Sequence, residues 1–367
     1  MTLTKEELVR YSRQLVVPEV GPEGQLRLKS AKVAVVGAGG LGSMVLACLA
    51  GAGVGELGIL DFGPVELSNL HRQFTYGIRD VGGLKTELAA ARLREINPGV
   101  GVKVREALLT GKNAAALLAG YDFIADCTDN YPTRSAINRA CLELGKTYVH
   151  GAVYRMEGQL TVFEPGRGPC LGCLSPGQGE ADAQACAEAG VLGPAAAAIG
   201  AMQALEIIKL ILGMETLKGR FAMLDFRLSR FNVAELPRWE DCPVCGKKAS
   251  SGAGPGPAAP PPRLITPEEL RRRLSSGEPP RLLDLRFDWE HGLAHIPGDE
   301  LADYGELLRT GGAGLFPEKE LVLYCKGQSK STAAWRALKA KGFEKVFVLE
   351  GGIDAWAARI DRKMVRY

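Results

Sequence analysis

Along the first two-thirds of the chain, short apolar runs alternate with longer segments in which apolar residues recur every three or four positions. The runs "KVAVVGA", "GELGILDF", "GVKVREA" and "FIADCTD" have the length and composition of strands, and "LGSMVLACLAGAG" and "KTELAAARLREINP" between them have a helical period. That alternation predicts a parallel sheet with crossover helices. After Tyr148 the pattern changes: "TYVHGAV" and "GQLTVFEP" read as neighbouring strands. "GPAAAAIGAMQALEIIKLILG" reads as a long helix, apolar on nearly every side, which predicts burial in a core or at a subunit interface. The tract "KKASSGAGPGPAAPPPR", residues 247–263, has nothing to bury and predicts a flexible linker. Beyond it, "RLLDLR", "ELVLYCKG", "TAAWRALKAKGF" and "KVFVLEGG" repeat the strand and helix alternation on a smaller scale. The expected organisation is α/β throughout, with units at residues 1–246 and 264–367 and no solenoid-type repeat.

Composition narrows the function classes. The chain has 367 residues, 46% hydrophobic and 24% charged, enough for two or three domains with ordinary cores. Its 45 Lys+Arg against 42 Asp+Glu leave a net charge of +3, so no basic field argues for nucleic acid and no polybasic run for a membrane. The opening "MTLTKEELVRYSRQL" has the period of an amphipathic helix without an apolar signal core, and no segment offers the roughly 20 uninterrupted apolar residues of a span. A cytoplasmic location follows as the expectation. Nine cysteines are too few and too scattered for a disulfide framework. Cys48, Cys127 and Cys141 lie in apolar patterns and read as buried small hydrophobes.

The candidate chemistry starts at "VAVVGAGGLGS", which sets Gly37, Gly39 and Gly42, with Gly40 in the same turn, between a strand and a helix. Glycines there permit a tight turn and close backbone approach to phosphate at a helix N-terminus, and Asp61, ending the next strand, suits ribose hydroxyls. This much fits NAD and ATP alike. "LSNLHRQF" then supplies Asn69, Arg72 and Gln73, Lys85 opens a helix, and "DCTDNYPTR" ends a strand with Asp129, Asn130 and Arg134. Hydride transfer has no use for Arg, Lys and a metal-binding carboxylate at the phosphate end. Transfer at an α-phosphate does, because charge builds on phosphoryl oxygens and on leaving pyrophosphate. Two CxxC pairs, Cys170 with Cys173 and Cys242 with Cys245, fit a closed tetrahedral four-cysteine zinc site.

The segments "RYSRQ", "GAGGLGS", "LSNLHRQF", "TDNYPTR", "YRMEGQLTVF", "CLGCL" and "CAEAGVLGP" together resemble the MoeB/ThiF family of ubiquitin-activating-type adenylating enzymes over roughly the first 245 residues. The resemblance implies a Rossmann-like fold, a homodimer, and Mg-ATP-dependent adenylation of the C-terminal Gly-Gly of a small ubiquitin-like sulfur carrier. It implies ATP held by Gly39 and Asp61, with Asn69, Arg72 and Lys85 on the phosphates, magnesium positioned by Asp129, and Arg13 reaching the neighbouring subunit's ATP. Where the family commonly has a second acidic residue two places after the ribose-binding Asp, this chain has Gly63. His71 reads as a packing or hydrogen-bonding residue. "SPGQGEADAQACAEAG" has no hydrophobic period and reads as a mobile crossover; in similar proteins a cysteine at the place of Cys186 bonds to the activated carrier or passes sulfur, while others dispense with it.

"LLDLRFDWEHGLAHIPGDE", "LVLYCKGQSKS" and "VFVLEGGIDAW" resemble a rhodanese domain over about the last 100 residues. They frame Cys325 in a small basic loop between strand and helix, a concave nest suited to an anion or a thiolate. Related phosphatases carry Arg six places after the cysteine, where Ser331 stands here; many sulfurtransferases carry it five places after, where Lys330 stands, and Gly327 comes one place early. Lys lacks the bidentate fork of Arg, so a sulfurtransferase is favoured over a phosphatase, with thiosulfate not expected as the preferred donor. A persulfide on Cys325, loaded by a donor such as a cysteine desulfurase, would attack the acyl adenylate and leave a thiocarboxylate. Molybdopterin, thiolated tRNA, cysteine and secondary metabolites are all open destinations for that sulfur. The alternatives are an activating enzyme for another acyl group, such as a ubiquitin-like protein destined for conjugation, an NAD-dependent oxidoreductase, and a non-catalytic adaptor.

Overall fold

The computed structural model describes residues 2–174, 190–246, 261–312 and 314–366, so Cys186 and most of the expected linker lie outside the described residues. The chain divides into two compact units, Met1–Ala253 and Gly254–Tyr367.

The first unit is built on eight strands: β1 (Lys32–Val36), β2 (Glu56–Asp61), β3 (Gly101–Glu106), β4 (Phe123–Asp126), β5 (Tyr148–Tyr154), β6 (Glu157–Phe163), β7 (Arg220–Asp225) and β8 (Arg230–Glu235). Their order is β3-β2-β1-β4-β5-β6-β7-β8. Strands β1 to β5 pair in parallel, and β6 to β8 continue antiparallel. The unbroken apolar run of β1 reflects helices on both faces. Val33 and Val35 pack with Leu46, Leu49 and Ile207, while Ala34 and Val36 point the other way toward Ile137, Cys141 and Tyr148.

The long apolar helix spans Gly193–Leu212 and packs against the helix Gly40–Ala52 and strand β5. A Cβ at Gly200 would lie 2.6 Å from the Leu41 carbonyl oxygen, so glycine is what lets the two helices approach. By length and composition this helix could cross a membrane, yet half of it is buried in this unit. Its buried face carries Gln203 and Glu206, both hydrogen-bonded to backbone groups of the same unit. The opening segment, expected as one amphipathic helix, is two: Lys5–Arg10 and Ser12–Leu15. The break is at Tyr11, which turns into the core, where its hydroxyl accepts from Asn97 Nδ2 at 2.8 Å.

The second unit has a five-stranded parallel sheet of β9 (Leu264–Ile265), β10 (Arg281–Asp284), β11 (Glu300–Leu301), β12 (Leu321–Tyr324) and β13 (Val346–Leu349), in the order β11-β10-β12-β13-β9. Leu283, Leu323 and Val348 face one core with Trp335 and Leu338; Leu282, Val322 and Leu349 face another with Ile353 and Trp356.

Candidate active sites

A cavity of about 510 Å³ opens at the carboxyl ends of β1, β2 and β4. Strand β1 enters a turn at Gly37, whose φ of +94° suits glycine and whose hypothetical Cβ would lie 2.8 Å from the Cys127 carbonyl oxygen. A Cβ at Gly42 would overlap the Gly37 carbonyl oxygen. The turn feeds the thirteen-residue helix Gly40–Ala52, whose N-terminal N–H groups point at the cavity mouth. Gly37, Gly39, Gly40, Asp61, Arg72, Gln73, Lys85, Asp129, Asn130 and Arg134 all line the cavity, and so does His71. Gly42, Asn69 and Arg13 do not line it. Gly42 is buried in the first turn of the helix. Asn69 is buried too, its Oδ1 accepting from the Glu66 N–H at 3.2 Å; Arg13 is exposed on the second short helix.

Electrostatics in the cavity are mixed. Burial pushes the Asp61 carboxyl up, offset in part by N–H bonds from Ala38 at 2.5 Å and Phe62 at 2.6 Å and by the Lys85 charge, with Asp129 adding to the rise. Arg72 Nη1 donates to the Ser68 carbonyl oxygen and to His71 Nε2, each at 2.8 Å. Burial and the Arg72 charge lower the His71 pKa, so His71 serves as a neutral acceptor that steadies the guanidinium. Arg134 donates through Nε and Nη2 to the Thr128 carbonyl oxygen. Asn130 Oδ1 caps the helix Tyr131–Leu144 by accepting from the Thr133 N–H at 3.0 Å.

Beneath this floor lies a polar network that sequence reasoning missed. Asp126, fully buried at the end of β4, accepts from His150 Nδ1–H at 2.8 Å on one oxygen and from the Thr128 hydroxyl at 2.7 Å and N–H at 3.1 Å on the other. Burial alone would raise the Asp126 carboxyl, but the His150 bond and charge, Arg134 and Thr128 outweigh it and hold the group below its ordinary value. Gln203 Nε2 donates to the Asp126 and Val149 carbonyl oxygens, tying the long helix to β4 and β5. The usable signal was register: β4 pairs with β5 so that Asp126 stands opposite His150.

In the second unit, Cys325 follows β12 and is buried, with Sγ 3.5 Å from Ser331 Oγ. The helix Ser329–Ala340 begins four residues later, so its N-terminal end lies beside the thiol. The loop rests on the start of another helix, Gly352–Arg359, whose Ile353 and Asp354 N–H groups donate to the Cys325 and Lys326 carbonyl oxygens at 3.0 and 3.2 Å. Gly352 has φ of +58°, and a Cβ there would overlap the carbonyl oxygens of Gly327 and Cys325. Lys330 Nζ lies 4.2 Å from the centroid of the Phe287 ring. Arg286 is paired with Asp284 at 2.6 Å, both buried, so the "DLR" within the rhodanese-like segment "LLDLRFDWEHGLAHIPGDE" is a structural clasp.

The first unit also matches a known family over residues 11–244, the ThiF family. The chain belongs to the ThiF family. Residues 266–359 of this ThiF-family chain match the rhodanese-like domain. Along its full length the chain is 39% identical to a probable adenylyltransferase/sulfurtransferase MoeZ of Mycobacterium tuberculosis, covering 96% of that protein. It is 36% identical to the adenylyltransferase and sulfurtransferase MOCS3 of Sus scrofa, covering 89% of it. Over 67% of this chain and 93% of the relative, it is 46% identical to a sulfur carrier protein adenylyltransferase of Thermus thermophilus. The crystal structure of Escherichia coli MccB with ATP shares the fold, with a TM-score of 0.56 and 23% identity over 65% of this chain and 74% of MccB.

Two groups are implied for a ThiF-family unit, and the residues present fit both. For a nucleotide, the glycine turn is a cradle that side chains would fill, and Gln73 Oε1 is buried on the cavity wall without a hydrogen-bond partner among the described residues. For a metal, the sulfur atoms of Cys170, Cys173, Cys242 and Cys245 all lie within 4.8 Å of one another, with Cys170–Cys242 at 3.7 Å and Cys173–Cys245 at 3.5 Å. Zinc–sulfur bonds of about 2.3 Å in a tetrahedron put sulfurs roughly 3.8 Å apart. Burial pushes the Cys245 thiol up to about 11 and Cys170 higher still, so those two need a cation beside them to ionise near neutrality.

Proposed function

We propose that this chain uses ATP to adenylate the C-terminal Gly-Gly carboxylate of a small ubiquitin-like sulfur carrier and then delivers sulfur to it from Cys325. The observation that carries the reading is the joining, in one chain, of a glycine-floored cavity bearing Arg72, Lys85, Arg134 and Asp129 with a cysteine cradled at a helix N-terminus. A carrier carboxylate oxygen attacks the α-phosphorus, and pyrophosphate leaves. Lys85 and Arg72 stabilise charge on the phosphoryl oxygens, Asp61 holds the ribose, and Gly37, Gly39 and Gly40 let the backbone approach the phosphates. Asp129, with Asn130 beside it, would hold Mg²⁺, which supplies charge neutralisation on the leaving pyrophosphate. The terminal sulfur of a Cys325 persulfide then attacks the acyl carbon and AMP leaves. A second thiol, from Cys186 or a small reductant, attacks the Cys325 sulfur of the resulting acyl disulfide, forms a disulfide with it, and frees the thiocarboxylate.

The sulfur donor is a protein persulfide such as that of a cysteine desulfurase. The four cysteines hold structural zinc. Exposed apolar residues such as Val9, Val16 and Val17 near Arg13 support a homodimer in which Arg13 serves the partner's cavity. The test is carrier-dependent ATP–pyrophosphate exchange: Lys85→Ala and Asp129→Ala each lower it by about a hundredfold or more with the chain still folded. Exchange surviving both changes would overturn the assignment.

A further inference from the structure

In the second unit, the helix Asp288–Leu293 ends at Ala294, and the chain runs through a turn at Gly298 with φ of +86° into β11. That path gathers three residues spaced four apart, His291, His295 and Asp299, whose ligand atoms all lie within 4.8 Å of one another. His291 Nε2 is 3.2 Å from Asp299 Oδ1. His295 Nδ1 is 3.1 Å from the His291 carbonyl oxygen, and only a protonated nitrogen can meet a carbonyl there. Nδ1 therefore carries the hydrogen and Nε2 keeps its lone pair, the tautomer set that ligating histidines show.

The charges point the same way. The Asp299 side chain is 2% exposed, and the Tyr324 hydroxyl donates to its Oδ2, so Oδ1, which His291 Nε2 faces, is the oxygen turned toward a cation. The same hydroxyl lies 3.1 Å from Asp284, whose charge Arg286 matches. Among the described residues the ion-pair partner of Asp299 is His291, which is charged only when protonated.

We infer that His291, His295 and Asp299 form a second metal site, separate from the four-cysteine cluster, that takes a divalent cation of the Zn²⁺ class through two imidazoles and one carboxylate. Donors about 2.1 Å from a tetrahedral ion sit roughly 3.4 Å apart, so the widest separation closes by about 1.4 Å at most. The two rings stand stacked, centroids 4.3 Å apart at 10°. Rotation of the exposed His295 ring unstacks them, and the ion would take the place of the hydrogen that His291 Nε2 shares with Asp299 Oδ1, with water in the fourth position. Through Asp299 and Tyr324 the ion braces the residue immediately before Cys325.

The experiment uses the full chain without a polyhistidine tag, equilibrated with Zn²⁺ alone and then passed through a desalting column. Metal per chain is compared between the wild type and His291→Ala/His295→Ala. The difference is the readout, so any occupancy of the four-cysteine cluster cancels. The wild type is expected to hold about one equivalent more. Asp299→Asn, which keeps the volume and the Tyr324 bond, is expected to weaken the extra equivalent roughly tenfold to a hundredfold, a perturbation of the size that changes around metal ligands produce. Co²⁺ titration gives the second check: the extra equivalent should add weak d–d absorption without thiolate charge transfer. Equal metal content in the two chains, with both folded by circular dichroism, would overturn the proposal.

Discussion

Replacing His150 with alanine tests whether the floor of the nucleotide cavity is held by the buried hydrogen-bonded pair of His150 and Asp126. His150 is 2% exposed and its Nδ1–H bond to Asp126 is the sole bond recorded to that oxygen among the described residues. His150→Ala leaves a fully buried carboxylate with one oxygen served by Thr128 and the other by nothing. Breaking one side of a buried pair costs about 3–5 kcal/mol. In a unit of this size 1 kcal/mol moves the melting temperature by about 2–4 °C, so the expected drop is roughly 6–20 °C. The assay is thermal unfolding followed by circular dichroism on His150→Ala, Asp126→Asn and the double variant. Removing the charge first should make the histidine less costly to lose, giving a coupling of about 1–3 kcal/mol.

The pH dependence has a definite sign. The Asp126 carboxyl is held below its ordinary value, so its contribution is fully present above that value and is lost as pH falls through the lowered one. The gap between wild type and His150→Ala should therefore be widest near neutrality and narrow below about pH 4. A melting shift under about 2 °C, or strict additivity in the double variant, would refute the pairing.

Three further outcomes follow from the geometry. Cys325→Ser keeps the packing and the Ser331 contact, so ATP–pyrophosphate exchange should be unchanged; intact-mass measurement of the carrier, with a protein persulfide donor and free sulfide excluded, should show no thiocarboxylate. Thiocarboxylate at the wild-type rate would shift the sulfur role to Cys186. The purified chain should hold about one zinc through Cys170, Cys173, Cys242 and Cys245 that survives mild chelation, and Cys173→Ser should lose it; four reactive thiols in the purified wild type would contradict that. Gly352→Ala forces a Cβ into the carbonyls of the cysteine loop, so sulfur transfer should fall about a hundredfold while exchange stays level.

What could be read from the sequence is what local chemistry writes. The β1 run, the glycine turn and Asp61 at the end of β2 are each a few adjacent residues whose types have one common physical use, and the two CxxC pairs are legible for the same reason. Non-local pairings were not legible. His150 and Asp126 meet because β4 and β5 pair in one particular register, and Gln203 joins them from a helix more than fifty residues on. The second unit shows the same divide. "HIPG" marks a turn, but that His291 and Asp299 converge there depends on how the chain bends between helix and strand. Tyr11 is the reverse case: helical period ran straight through it, and a tertiary demand for the ring broke the helix.

The reliance of the cysteine loop on Gly352 also orders events at the ribosome. Cys325 is synthesised before the helix whose Ile353 N–H donates to its carbonyl oxygen, and the chain grows at about 5–20 residues per second. Until that helix has emerged and docked, the Cys325 and Lys326 carbonyl oxygens lack the N–H donors that hold the loop. On the sulfur role proposed for Cys325, a chain released before Gly352 is made would lack the shaped loop that this role requires.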